Sequence, residues 1–307
     1  MSGPVTTADA PASGAAAPPV GANGVEIIPG REAMVGAVPV RRVLPRRPRR
    51  TVGAWCFADH MGPMSVTQDN GVDIGPHPHT GLHTVTWLIA GELLHHDSLG
   101  SEQLIRPGQL NLMTAGQGVA HAEEATPQYE GEMHGVQFWV AQPDATRHGP
   151  ASFEHHADLP QVELPGADAR VLVGEFAGAA SAARADTPLV GVDLRLRAAT
   201  TVPVQRRFEH ALIVLAGAVI VDGTRVTPGA LAYLGIDRDE LSLSTDGPAR
   251  ALLIGGEPFP EPIVMAWNFV GRSRDELATA ARQWNDEDER FGRVRSALAR
   301  IPAPVPA

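Results

Sequence analysis

Two matched stretches decide the fold. Trp87-Leu88-Ile89-Ala90-Gly91 is followed by Arg106-Pro107-Gly108-Gln109-Leu110, and Ile213-Val214-Leu215-Ala216-Gly217 by Thr227-Pro228-Gly229-Ala230-Leu231. Each is an apolar run closed by Ala-Gly, a segment closed by Pro-Gly, and a second apolar run. Short β-branched and aromatic runs cut by Gly and Pro are the pattern of strands joined by turns. Their recurrence predicts two copies of one β-unit. Working outward, 85–89, 110–113, 136–140 and 171–173 read as strands, and 211–221 as a buried strand pair. Helical spacing emerges only in 274–294, where Leu277, Ala280, Ala281, Trp284 and Phe291 recur between charges. Ser273 is the expected N-cap, and Glu276 completes a capping box. The predicted architecture is all-β: two tandem barrels with a C-terminal α-helix, each barrel leaving a cavity near one mouth.

The domain boundaries follow from composition. Residues 1–24 are rich in Ala, Pro, Gly and Thr and lack the basic start and apolar core of a signal peptide, so a disordered tail is expected. The first barrel is placed at 25–176, an Ala-rich polar linker at 177–188, the second barrel at 189–270, and the helix and tail at 271–307. The 307 residues suffice for full hydrophobic cores. A net charge of −10 argues against non-specific nucleic-acid binding, which depends on neutralising phosphates. No apolar run reaches membrane-spanning length. A lone cysteine, Cys56, excludes an internal disulfide framework and any CxxC motif, and is expected to be buried and inert. A cytoplasmic monomer fits this composition. All 25 basic residues are Arg, so no lysine can act as base or Schiff-base nucleophile.

Only the first unit carries a metal-type constellation. In Gly75-Pro76-His77-Pro78-His79-Thr80-Gly81 two histidines stand two apart, and in a strand their side chains share one face. Ala120-His121-Ala122-Glu123 repeats the spacing with a histidine and a glutamate. Two such strands facing one another would present His77, His79, His121 and Glu123 to one ion of Fe, Ni, Cu, Zn or Mn. Four protein ligands around a six-coordinate ion leave two positions open to water, O₂ or a substrate. The second unit is an internal control: Pro203, Gln205, Ser242 and Ser244 stand at the corresponding positions, so the second barrel is expected to be metal-free. Other candidates are weaker. His95 and His96 are adjacent, so at most one faces inward. His134, Gln137 and Trp139 read as one strand face, His60 as a packed histidine, and the Arg42 to Arg50 cluster as a solvated loop.

The Gly…Pro-Gly rhythm resembles the cupin double-stranded β-helix, here present twice. Phe57-Ala58-Asp59-His60-Met61-Gly62-Pro63, 75–81, His96-Asp97-Ser98-Leu99-Gly100, Ile105-Arg106-Pro107-Gly108 and 113–123 resemble the pirin family of bicupins, as do Gly256-Glu257-Pro258 and 261–264 near the end. The resemblance implies a mononuclear site, iron(II) first and Ni, Cu, Zn, Mn or Co as alternatives, held by His77, His79, His121 and Glu123. It further implies a quercetin 2,3-dioxygenase-like activity on a flavonol and O₂, with Glu123 as ligand and base. The alternative it implies is a non-catalytic, iron-dependent regulator that binds a transcription factor or a metabolic enzyme. Two positions depart from the family pattern: Thr80 stands for its usual Arg, and His83 for its usual Glu. His83 is expected to support the site from outside or to stand by, since four ligands already exist.

Overall fold

The computed structural model describes residues 24–47, 49–67, 70–126 and 129–305. The expected tail therefore lies, save for Gly24, outside the described residues. Each barrel is a large sheet facing a small one. In the first barrel the large sheet runs Ser152–His156, Leu110–Thr114, Leu82–Ala90, Gly131–Ala141, Trp55–Val66, Val38–Leu44, Arg31–Val35. Its small sheet runs Ile74–His79, Val119–Glu124, Leu93–Asp97, Glu102–Ile105. The second barrel repeats both orders. Its large sheet is Glu26–Pro29, Ala230–Gly235, Glu209–Ala216, Ala249–Gly256, Leu189–Leu196, Ala167–Phe176, Gln161–Leu164, and its small sheet is Thr200–Pro203, Glu240–Ser244, Val219–Val221, Thr224–Val226. The internal repeat read from the two Pro-Gly stretches is thus a repeat of topology.

Why these strands read as unbroken apolar runs is visible in their alternation. Ala211, Ile213 and Leu215 pack with Val136, Phe138 and Val140 of the first barrel in one core cluster, while Leu212 and Val214 face the second barrel's interior. The large sheets lie against each other, so their strands are buried on both faces. Trp55 seals this seam by donating its indole N–H to Gly255 O at 3.1 Å.

The second barrel also takes in strands from earlier in the chain. Glu26–Pro29, from the start of the described chain, pairs with Ala230–Gly235 in the second sheet. The strands Gln161–Leu164 and Ala167–Phe176 belong to the second sheet too, although the sequence reading put residues up to 176 with the first barrel. Local pattern identifies a strand but not its partner, because pairing is decided by contacts far away in sequence.

The terminal helix spans Arg274–Asn285, shorter than the 274–294 predicted, and Phe291 sits in a separate 3₁₀ turn, Glu289–Phe291. Ser273 is the N-cap, accepting from Glu276 N; the returning carboxylate of Glu276 takes Arg272 N rather than the cap's own N–H. Ahead of this helix the chain returns to the first barrel: Val270 N donates to Thr80 O at 3.1 Å. Beyond it, Ile301 N donates to Pro76 O at 2.9 Å. The segment after the second barrel therefore braces the strand that carries His77 and His79.

Candidate metal centre

The strands Ile74–His79 and Val119–Glu124 are antiparallel, with His77 directly opposite His121 and His79 opposite Val119. This register brings three imidazoles together, each at most 2% exposed. One nitrogen from each of His77, His79 and His121 lies within 4.8 Å of the others, and His79 Nε2 is 3.0 Å from His121 Nε2. Glu123 lines the same cavity but stands outside this tight group. The register slips between His121 and Glu123, where Glu123 pairs with Ile74, and such bulges re-aim side chains.

Hydrogen bonds fix which nitrogens are bare. His77 Nδ1 lies 2.9 Å from Gly75 O, and His79 Nδ1 lies 3.0 Å from Asn268 O. A carbonyl oxygen only accepts, so both Nδ1 atoms carry the hydrogen and both Nε2 atoms present a lone pair. Burial opposes protonation: it pushes His79 down to about 3 and holds His77 and His121 well below the usual imidazole range. Imidazole nitrogens converging in a dry pocket, two of them held bare, offer lone pairs to a cation. The donor set therefore fits one metal ion, and these three histidines could hold it.

The cavity is small. It encloses about 30 Å³, lined by Phe57, Asp59, Met61, Gln137 and Trp139 from the large sheet and by Val35 and Val40 from the first hairpin. Phe57 stacks on Trp139 at 4.1 Å. Arg42 clamps the hairpin to the wall by a bidentate pair with Asp59, at 2.8 and 2.7 Å, with Arg42 only 1% exposed. The expectation of a solvated basic loop is thus corrected at Arg42, which lies inside the strand Val38–Leu44. Arg49 is also engaged, over the Tyr233 ring at 3.6 Å and against Glu26 at 3.2 Å. The partner carboxylates lie elsewhere in the chain, so the basic run alone could not disclose them.

Other sequence candidates separate cleanly. His95 faces inward: its Nδ1 is 3.4 Å from His121 Nδ1, its Nε2 is 3.1 Å from Asp97 Oδ2, and Phe153 stacks on its ring at 4.4 Å. His96 faces outward toward Glu102. His83 is not in the cluster; it bonds Thr114 Oγ1 at 2.9 Å and meets Asp186 at 3.2 Å. That contact ties the inter-barrel linker to the first barrel. Gln137 and Trp139 line the cavity, but a register shift after His134 turns that residue to the other side, where its Nε2 lies 2.8 Å from His60 Nε2. Cys56 is fully buried, and burial pushes its thiol up to about 12, which makes it inert. Asn268 was missed: its contribution is a backbone carbonyl from the segment after the second barrel, for which side-chain motifs give no signal.

Two tandem double-stranded β-helices, with a buried histidine cluster in the first, define a bicupin. The chain belongs to the pirin family: residues 37–140 match the Pirin model and residues 189–292 the Pirin C-terminal cupin domain. It is 47% identical to a Pseudomonas aeruginosa protein provisionally named quercetin 2,3-dioxygenase, over 84% of this chain and 82% of that protein. A pirin-like protein of Caulobacter vibrioides is 37% identical over 81% of this chain and 89% of its own length. Among solved structures, quercetin 2,3-dioxygenase from Acinetobacter baumannii superposes with a TM-score of 0.89 at 44% identity, covering 92% of this chain and 96% of that one. The nickel(II) complex of the Escherichia coli pirin YhhW shares the fold, with a TM-score of 0.60 at 16% identity over 76% of this chain and 99% of that one.

Proposed function

We propose that this bicupin is a metal-dependent dioxygenase acting on a flavonol, the activity named for its Acinetobacter relative, with His77, His79, His121 and Glu123 serving one iron(II) ion. The observation that carries this reading is the convergence of three buried imidazoles, two of them with bare Nε2 atoms fixed by backbone carbonyls. When bound, the metal supplies Lewis acidity that lowers the pKa of a chelating 3-hydroxyl. Glu123, beside the cluster and offset from it by the bulge, takes that hydroxyl proton. Trp139 and Phe57 give the flat ring system an apolar wall, and burial keeps water from the electron-rich flavonolate. Ring opening then consumes O₂ and releases carbon monoxide.

One observation favours a second reading. A cavity of about 30 Å³ holds an ion and a small ligand, whereas pockets for organic molecules usually enclose about 300 Å³ or more. Val35, Val40 and the Arg42–Asp59 clamp would have to yield before a flavonol entered. A site that stays closed suits a regulator in which a change of metal charge is felt by the surrounding shell. The deciding experiment is anaerobic iron loading followed by quercetin turnover, read as loss of flavonol absorbance, in wild type and Glu123→Gln. Turnover in wild type, with a loss in the variant that exceeds any fall in its iron content, supports the dioxygenase. Stoichiometric iron without turnover on any flavonol rejects it and favours the regulator.

A further inference from the structure

The three cluster histidines are not anchored alike. His77 and His79 each give Nδ1–H to a neutral backbone carbonyl, whereas His121 Nδ1 faces another imidazole, that of His95, at 3.4 Å. Beyond His95 stands Asp97, whose Oδ2 is 3.1 Å from His95 Nε2. Asp97 is 3% exposed, and its other oxygen, Oδ1, accepts from Leu99 N and Ser101 N, both at 2.9 Å. Two backbone N–H groups on Oδ1 and an imidazole nitrogen on Oδ2 make Asp97 an acceptor at both oxygens, the role of a carboxylate. A carboxylate only accepts, so His95 Nε2 carries the hydrogen and His95 Nδ1 presents a lone pair. That lone pair can face His121 Nδ1 favourably only if His121 Nδ1 carries a hydrogen. Phe153, stacked on His95 at an interplanar angle of 15°, keeps the His95 ring in the plane this chain requires.

We infer that Asp97 and His95 are positioning residues of the metal site: the relay Asp97–His95–His121 selects the tautomer that leaves His121 Nε2 bare and orients it toward the ion. The inference rests on the metal reading of the three-histidine cluster. The spacing agrees with it, because His95 and Asp97 stand two apart on one strand, and Asp97 and His121 are register partners across the small sheet. A ligand backed by a carboxylate through a second imidazole is a stronger donor than one backed by a carbonyl. His121 is therefore the ligand whose loss of support the ion feels most.

Asp97→Asn tests the relay with little disturbance. Asn keeps an oxygen at the Oδ1 position for Leu99 N and Ser101 N, but turns an NH₂ toward His95. His95 must then accept at Nε2 and carry its hydrogen on Nδ1, and His121 must invert and place a hydrogen on Nε2. The experiment is anaerobic Co²⁺ titration of the metal-free protein with proton NMR of the loaded form. Wild type should show three exchangeable, strongly shifted N–H resonances, one per ligating histidine. Asp97→Asn should bind Co²⁺ about 10–100-fold more weakly and lose or move the His121 resonance while those of His77 and His79 stay. His95→Leu, which removes the acceptor and leaves the turn intact, should behave alike and serves if Asp97→Asn does not fold. His96→Asn, on the outward face, should match wild type. Unchanged affinity and three unchanged resonances in Asp97→Asn or His95→Leu overturn the relay while the metal site stands. A wild type that binds no Co²⁺ overturns the metal reading and the relay with it.

Discussion

Replacing Arg42 by methionine leaves the Asp59 carboxylate 2% exposed and without its bidentate partner on the wall of the metal cavity. The native pair lies at 2.7–2.8 Å with Arg42 over the Phe57 ring at 4.6 Å, so the guanidinium also fills space between hairpin and barrel. Removing one member of such a pair costs about 3–5 kcal/mol, because the remaining charge stays buried. For a protein of this size that lowers the first unfolding midpoint by roughly 10 °C. Arg42→Met combined with Asp59→Leu removes both charges and should recover most of the loss, to within about 1 kcal/mol of wild type. The same loosening should speed exchange at the site, since Val35 and Val40 of this hairpin cover it. Urea unfolding of the four proteins of the cycle measures the energy, and the rate of metal stripping by a chelator measures access. A loss below about 1 kcal/mol in Arg42→Met, with stripping as slow as in wild type, would refute the claim that this pair bolts the hairpin over the cavity.

Three further outcomes are expected. In the metal-free protein, His121→Leu leaves the buried His95 Nδ1 without its donor, so its melting temperature should fall by roughly 2–10 °C. Its rise on adding metal, worth about 4 kcal/mol at a thousand-fold excess over Kd in wild type, should vanish; calorimetry with and without Fe²⁺ checks both. Metal-free protein should lose stability as pH falls below about 6.5. Burial lowers His60 and His210 to about 4 and His79 to about 3, so the unfolded chain takes up protons that the folded chain refuses. Stability is then fully present above pH 6.5 and falls by up to about 1.4 kcal/mol per pH unit for each such histidine until the folded values are reached; a pH series of urea midpoints reads the slope. Ser273→Ala deletes the cap on the helix that braces the first barrel through Leu277 and Trp284, and should cost about 1 kcal/mol by thermal melting.

The parts of this molecule legible in its sequence are those written in local pattern. Spacing of two in His77/His79 and in His121/Glu123 placed each pair on one strand face, and the Pro-Gly repeat disclosed two β-units before any pairing was known. Pairing itself was not legible: Gln161–Leu164 and Ala167–Phe176 read as strands, yet the sheet they join is set by Leu189–Leu196 in the other barrel. The offset of Glu123 from the three imidazoles arises from a register slip, which no periodicity announces. Arg42 was misread because its partner, Asp59, lies on the neighbouring strand rather than in the basic run. Asn268 holds His79 through a carbonyl every residue possesses, so only the fold could single it out.

The most direct test of the account is elemental analysis of anaerobically purified protein, wild type beside His77→Ala, His79→Ala and His121→Ala. The account predicts close to one metal ion per wild-type chain and loss of it in each folded variant. Wild type devoid of metal after anaerobic reconstitution with iron, or variants that retain the wild-type content, would contradict it.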